Sequence, residues 1–191
     1  MLIKKEPLGA LPIALESEDQ VSVKGWLREG MDAQDPEICM LMAAAFERAE
    51  FLTHRVWVAR GVLMQVPDFS YLRYLFDLSP VTAVESLEYL DPSGELQSLD
   101  PATYRLASGM PDSIVPAIGT SWPSVAKVPD AIRIKLKCGE PTVPASILQW
   151  VCMRVNTAYE NREAVLPGTQ TPLPDAFVDG LLDAYRIDGV M

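Results

Sequence analysis

Nine consecutive residues, Ile38 to Phe46, carry no polar side chain. Asp35-Pro36-Glu37 just before them is a helix start, with Asp as N-cap, Pro at the first helical position and Glu in the first turn. A helix bearing this run is apolar on every side, yet nine residues are too few to cross a bilayer, so protein must surround it. Charge returns at Glu47, Arg48 and Glu50, and the helix is predicted to end near Thr53-His54-Arg55. A second apolar helix is predicted between Thr142 and Val165, with Pro144 in its first turn. Leu148, Val151, Cys152, Val155 and Tyr159 recur at helical spacing on one stripe, while Trp150, Met153 and Thr157 lie on another side. A polar knot, Tyr159-Glu160-Asn161-Arg162-Glu163, closes it before Pro167-Gly168. Two sticky sides on one helix point to packing inside the subunit and between subunits, with Met40, Phe46, Trp150 and Met153 as the candidate subunit interface.

Between these helices the periodicity changes from helical to alternating. Ile132, Ile134, Leu136 and Cys138 alternate with Arg133, Lys135 and Lys137, a half-buried strand with a basic outer face. Val56–Val66 and Val81–Leu90 read as strands, and the spacing of Val84, Leu87 and Tyr89 slips once, which predicts a bulge. Asp91-Pro92-Ser93-Gly94 matches a type I turn, with a hairpin partner at Glu95–Leu99. Tyr104–Ala107 is a further strand, and 108–130 reads as loop with a short apolar piece, Ile114-Val115. Residues 69–78 are aromatic and follow neither period. Ser17-Glu18-Asp19-Gln20 has the form of a capping box opening a short helix to Glu29, and a last amphipathic helix is predicted from about Asp175 to Tyr185.

The expected organisation is therefore an N-terminal arm (1–16), a first helical part (17–55), a β-rich insertion (56–140), a central helix (141–165) and a C-terminal hinge and helix (166–191). The expected fold is α+β, mainly α: a small bundle of about four helices, with an antiparallel β subdomain inserted between the second and third main helices.

Length and composition fit one globular domain. A net charge of −10 argues against DNA gripped by the whole surface, which needs a cationic footprint, but not against a conduit that DNA passes through. The N-terminal segment is broken by Pro7, Gly9 and Pro12, so no signal core is expected, and no apolar run is long enough for a membrane. Cys39, Cys138 and Cys152 each lie in an apolar run and are read as buried reduced thiols. One histidine, His54, cannot build a His-rich metal site or, without a framed nucleophile, a triad. Neither phosphate loop nor dinucleotide fingerprint is present. No catalytic residue, cofactor or metal is thus expected. Two rivals of other classes remain: a small-molecule enzyme using Glu160, Glu163 and Arg162, which a deep pocket with raised carboxylate pKa values would favour, and a nucleic-acid module using Arg133, Lys135 and Lys137, which salt-sensitive duplex binding would favour. Salt bridging at a helix end and a solvated strand face explain those residues more simply.

Several stretches, in order, carry a resemblance. Lys24-Gly25-Trp26-Leu27-Arg28, the run Ala44 to Arg55 with its ending Thr53-His54-Arg55, Leu99 to Arg105, Ser121-Trp122-Pro123, Pro129 to Arg133, Tyr159 to Val165 and Ala184-Tyr185-Arg186 resemble segments of the head–tail connector (adaptor) proteins of long-tailed phages, prophages and gene transfer agents. The resemblance spans roughly residues 20–187. It implies a structural virion protein without catalysis. Such a protein forms a ring, commonly of twelve copies, beneath the portal, extends the DNA channel used in packaging and ejection, and offers a platform to stopper or tail-completion proteins. Other connector-layer roles, stopper or tail terminator, are the alternative within that resemblance. The implied partners are further copies, the portal and the stopper, with DNA in the lumen unread and no membrane. The implied location is host cytoplasm during assembly, then the head–tail junction. By the same resemblance, the segment from Pro167 to Met191, with Phe177, Leu181, Tyr185 and Arg186, is the candidate portal-docking element. The Tyr159–Glu163 knot is expected to be structural.

Overall fold

A computed structural model describes residues 2–7, 11, 23, 35–109, 111–160 and 178–187. Among them the chain forms seven strands and two long helices: β1 (Leu2–Lys5), α1 (Asp35–Thr53), β2 (Arg60–Val66), β3 (Val81–Leu90), β4 (Leu96–Ser98), β5 (Tyr104–Ala107), β6 (Ser113–Pro116), β7 (Ile132–Cys138) and α2 (Ala145–Glu160). Short 3₁₀ turns lie at Phe69–Arg73, Pro101–Thr103 and Asp183–Tyr185. The strands form an antiparallel five-stranded sheet, ordered β1-β2-β7-β3-β4, and a separate β5-β6 hairpin.

This overturns the expectation of a mainly α bundle of about four helices. The described residues hold two long helices against a five-stranded and a two-stranded sheet, so the fold is mainly β. The physical reason is that the β residues are no mere insertion on a helical core. They bury a core of their own, built from Val62, Met64, Ile132, Ile134, Leu136 and Leu87 on one face of the sheet and Phe69, Leu72, Leu75, Tyr104 and Ile114 packed against it. The arm also contributes: Leu2–Lys5 pairs antiparallel with β2, Leu2 opposite Gln65 and Lys5 opposite Val62. Of the first predicted helix, only Val23 lies among the described residues; it is helical and buried. Of the last, residues 178–187 are described, as a helical turn followed by the 3₁₀ turn at Asp183–Tyr185.

Two compact units divide the chain. One comprises Met1–Gly9, His54–Pro141 and Ile187–Met191, the other Ala10–Thr53 and Thr142–Arg186. In the β unit, β7 is the central strand, and its alternation is realised: Ile132, Ile134, Leu136 and Cys138 are buried while Lys135 and Lys137 are exposed. The slip in β3 is two irregularities against β7, between Val81 and Ala83 and between Val84 and Ser86. Asp91 organises the hairpin after β3, accepting from the backbone N–H of Ser93 and Glu95 and from the Gln97 amide. Gly94 closes that turn at φ 88°. Gly139, after β7, has φ 126°, and a Cβ there would meet the Ala59 Cα at 2.5 Å, so the close backbone approach requires glycine.

In the helical unit, α1 buries Ile38, Met42, Ala45, Phe46 and Ala49, a stripe at helical spacing. Thr53 Oγ1 donates back to the Ala49 carbonyl (2.7 Å) in the last turn. His54, at φ 55°, follows the end of the helix. Pro144 precedes α2, its carbonyl accepting from Ile147 and Leu148. The face that α2 buries consists of Ile147, Trp150, Val151, Cys152 and Val155.

Candidate assembly surfaces

Helix α1 has one buried face, not a buried circumference. Phe46 is 0% exposed, whereas Met40 is 63% and Phe51 68% exposed. Met40, Ala44, Glu47 and Phe51 recur at i, i+4, i+7 and i+11, so they share one outward face. The Arg48 guanidinium lies 5.3 Å from the centroid of the Phe51 ring. Phe51 was not singled out from sequence, because it lies beyond the unbroken apolar run. The signal that would have found it is its eleven-residue spacing from Met40.

On α2, Trp150 is 0% exposed and Met153 half-buried. Trp150 Nε1 donates to Asp179 Oδ1 at 3.1 Å, and Arg154 Nη2 reaches the same oxygen at 2.9 Å. Arg154 also lies 5.2 Å from the Trp150 ring centroid. Ser146 Oγ donates to the Tyr185 hydroxyl at 3.1 Å. Residues 179–185 are therefore tied to α2 at two levels. Of the candidate docking residues, Leu181 and Tyr185 are half-buried, Arg186 is exposed beside Asp183 (3.5 Å), and Phe177 lies outside the described residues. Of the polar knot, Tyr159 is half-buried and Glu160 exposed at the end of α2; Asn161, Arg162 and Glu163 lie outside the described residues. The enzyme rival built on Glu160, Glu163 and Arg162 falls on the same boundary.

The outer face of the sheet carries the charges of β7. Lys137 pairs with Glu85 of β3 (3.0 Å), and Arg133 with Asp130 (3.4 Å). A cleft of about 510 Å³ opens on this face around Lys4, Leu63, Lys135 and Glu85. Its register explains it: Lys4 and Lys135 flank Leu63 on the two neighbouring strands. Gly61, two residues earlier in β2, offers no side chain, and the Glu6 carboxylate lies where a Cβ would be. A second cleft, of about 330 Å³, is lined by Tyr71, Tyr74, Leu75 and Phe76, with Met64 among its walls. These aromatics belong to the 69–78 segment, whose turn is capped by Asp68 accepting from Ser70.

Several other titratable groups have local partners. His54 Nδ1 lies 2.6 Å from Asp77 Oδ1. Arg55 pairs with Glu140 and lies 5.0 Å from the Trp57 ring centroid. Asp112 is buried and accepts from Val81 N–H (2.8 Å) and Gly109 N–H (3.0 Å). Burial pushes the Cys138 thiol up to about 12 and the Cys152 thiol to about 11; Cys39, expected to be buried, is exposed instead, because only one face of α1 turns inward. Among the described residues, no group of three His, Cys, Asp or Glu side chains is placed to hold a metal, and no helix is long and apolar enough to cross a membrane.

No protein-family model matches the sequence, and no curated protein matches it. Solved structures do match, along the whole chain. A chain from the neck of an empty GTA particle computed with C6 symmetry has 21% identity and a TM-score of 0.74. A chain from the virion of a native gene transfer agent (GTA) particle has 20% identity and a TM-score of 0.74. A chain from the neck of a native GTA particle computed with C12 symmetry has 19% identity and a TM-score of 0.72. Each match covers 100% of this chain and 98% of the other. At these identities the likeness establishes a shared fold.

Proposed function

We propose that this chain is a structural subunit of the neck of a phage-like particle, the head–tail connector (adaptor) that forms a ring under the portal. The observation that carries the reading is the end-to-end match in fold to chains of GTA particles, two of them described as necks, with 98% of each of those chains covered. The ordered sequence motifs point to the same class independently. In this reading the copies are twelve, in keeping with the C12 symmetry of one of those necks. The ring continues the DNA channel and offers the stopper or tail-completion protein its platform.

The physical demands of a ring agree with the surfaces described. Closed rings use heterologous contacts, so each subunit needs two different faces. The outward stripe of α1, with Met40 and Phe51, is one apolar candidate; Met153 adds partly accessible surface on α2. Burying Phe51 alone would contribute about 1.5–3 kcal/mol. A net charge of −10 suits a conduit, since a negative wall repels DNA and lets it slide.

The C-terminal residues serve the portal in this reading, and Leu181, Tyr185 and Arg186 mark that segment. Arg186→Glu, at an exposed position, should weaken co-sedimentation with purified portal rings while thermal unfolding of the full chain is unchanged. Undiminished co-sedimentation would remove this role.

A further inference from the structure

We infer that the cleft on the outer face of the sheet, floored by Leu63 between Lys4 and Lys135, is the socket for helix α1 of a second copy of this chain. The inference rests on the ring reading and names one of its contacts.

The socket has a particular chemistry. Its floor is the half-buried Leu63, and lysines stand on both neighbouring strands. Its volume, about 510 Å³, lies within the range of sites that enclose a substantial ligand. Lys4, Lys5 and Lys135 outnumber Glu6 and Glu85 on its walls, and Glu85 is engaged by Lys137 at 3.0 Å. The occupant must therefore combine apolar side chains with carboxylates. The outward face of α1 does so: Met40, Ala44 and Phe51 with Glu47 among them. A helix laid in a groove is read at i, i+4, i+7 spacing, which is the spacing of these residues.

Charge at larger scale agrees. The helical unit holds fourteen acidic against six basic residues, a net of −8, and the β unit twelve against ten, a net of −2. The cationic stripe of Lys4, Lys135 and Lys137 is thus attracted to the helical unit of another copy. The socket and the outward face of α1 are different surfaces, so the contact is head-to-tail and propagates until it closes. Phosphate fits the cleft less well than a mixed helix face, because it brings no apolar side chain to the Leu63 floor.

The test uses the full chain, mixed from ordinary and ¹⁵N-labelled protein, both alone at high concentration and on purified portal rings. Carbodiimide joins touching lysines and carboxylates, and mass spectrometry separates mixed-isotope pairs from pairs within one copy. The expected result is a mixed-isotope link between Lys135 or Lys4 and Glu47. Lys135→Glu should remove that link and weaken self-association by about tenfold or more, and an equal amount of the Glu47→Lys chain should restore it. Both substitutions lie on exposed positions, so folding is preserved. Rings that form normally from Lys135→Glu, with links elsewhere, overturn the socket and leave the ring reading intact. Absence of mixed-isotope links under both conditions, with no ring on the portal, overturns both. Salt-sensitive binding of duplex DNA that Lys135→Glu abolishes, without self-association, assigns the face to nucleic acid and overturns the socket.

Discussion

Replacing Asp112 with Ala should loosen the β unit more than any surface charge change. The carboxylate is buried, at 4% exposure, in the turn between β5 and β6. It accepts from Val81 N–H at 2.8 Å, at the start of β3, and from Gly109 N–H at 3.0 Å, within its own turn. Its own N–H donates to Ser79 Oγ at 2.8 Å, and its carbonyl accepts from Leu75 N–H at 2.9 Å. A hydrogen bond to a charged group is worth about 1.5–3 kcal/mol, and a buried donor left unpaired loses its solvation as well. The Val81 bond takes the full value. Gly109 is exposed, so water replaces much of its bond. The expected loss is about 2–4 kcal/mol. With a urea slope of about 2 kcal/mol/M, the midpoint for the β unit falls by about 1–2 M. Asp112→Asn keeps one acceptor for two donors and should lose roughly half as much. The assay is urea unfolding of the full chain, with hydrogen exchange at the Val81 amide as the local readout. A midpoint shift below about 0.25 M in Asp112→Ala, with unchanged Val81 protection, would refute the reasoning.

Other outcomes follow from the same geometry. Phe46→Ala should cost about 3–5 kcal/mol in thermal or urea unfolding, while Phe51→Ala on the same helix stays within about 0.5 kcal/mol and impairs assembly instead; equal losses of stability would show that the two faces are misassigned. The Asp91 carboxyl, held down to about 2 chiefly by the Ser93 hydroxyl and the Glu95 N–H, lies below its ordinary value of 3.8. A depressed carboxyl contributes stability above its unfolded pKa, so the hairpin should hold through mild acid and lose this contribution as pH falls from about 4 toward 2; a carboxyl-carbon NMR titration with its midpoint near 3.8 contradicts this. Iodoacetamide at pH 8 should alkylate Cys39 first, because burial raises Cys138 to about 12 and Cys152 to about 11; equal labelling of all three thiols would count against the buried assignments.

Legibility in the sequence tracked how local each determinant is. The β7 alternation was readable because a central strand with one solvated face must show a period of two. The start of α1 was readable because Asp35-Pro36-Glu37 is a local signal. The irregularity of β3 appeared as a slipped spacing, though its second instance did not. The extent of the sheet was hidden. Leu2–Lys5 is a four-residue edge strand with two lysines, without a pattern of its own, and it becomes a strand through β2. The 69–78 aromatics follow neither period because the segment is a 3₁₀ turn and an irregular cover on the sheet's core. Helical patterns are conspicuous in the sequence, but the larger core is buried by the strands, whose partners are distant in the chain. Phe46 and Trp150 looked like surplus interface because an unbroken apolar run does not reveal which side faces inward. Both are buried, and Met40 and Phe51 hold the outward surface. Asp112 was invisible because its partners Val81 and Ser79 lie 31 and 33 residues away in the chain.

The central claim is that copies of this chain close into a ring on a portal. Cryo-electron microscopy of the full chain incubated with purified portal rings tests it directly. The account predicts a second ring of twelve copies stacked on the portal's narrow end, with an open channel along the shared axis. Bare portals beside a chain that stays monomeric would contradict it.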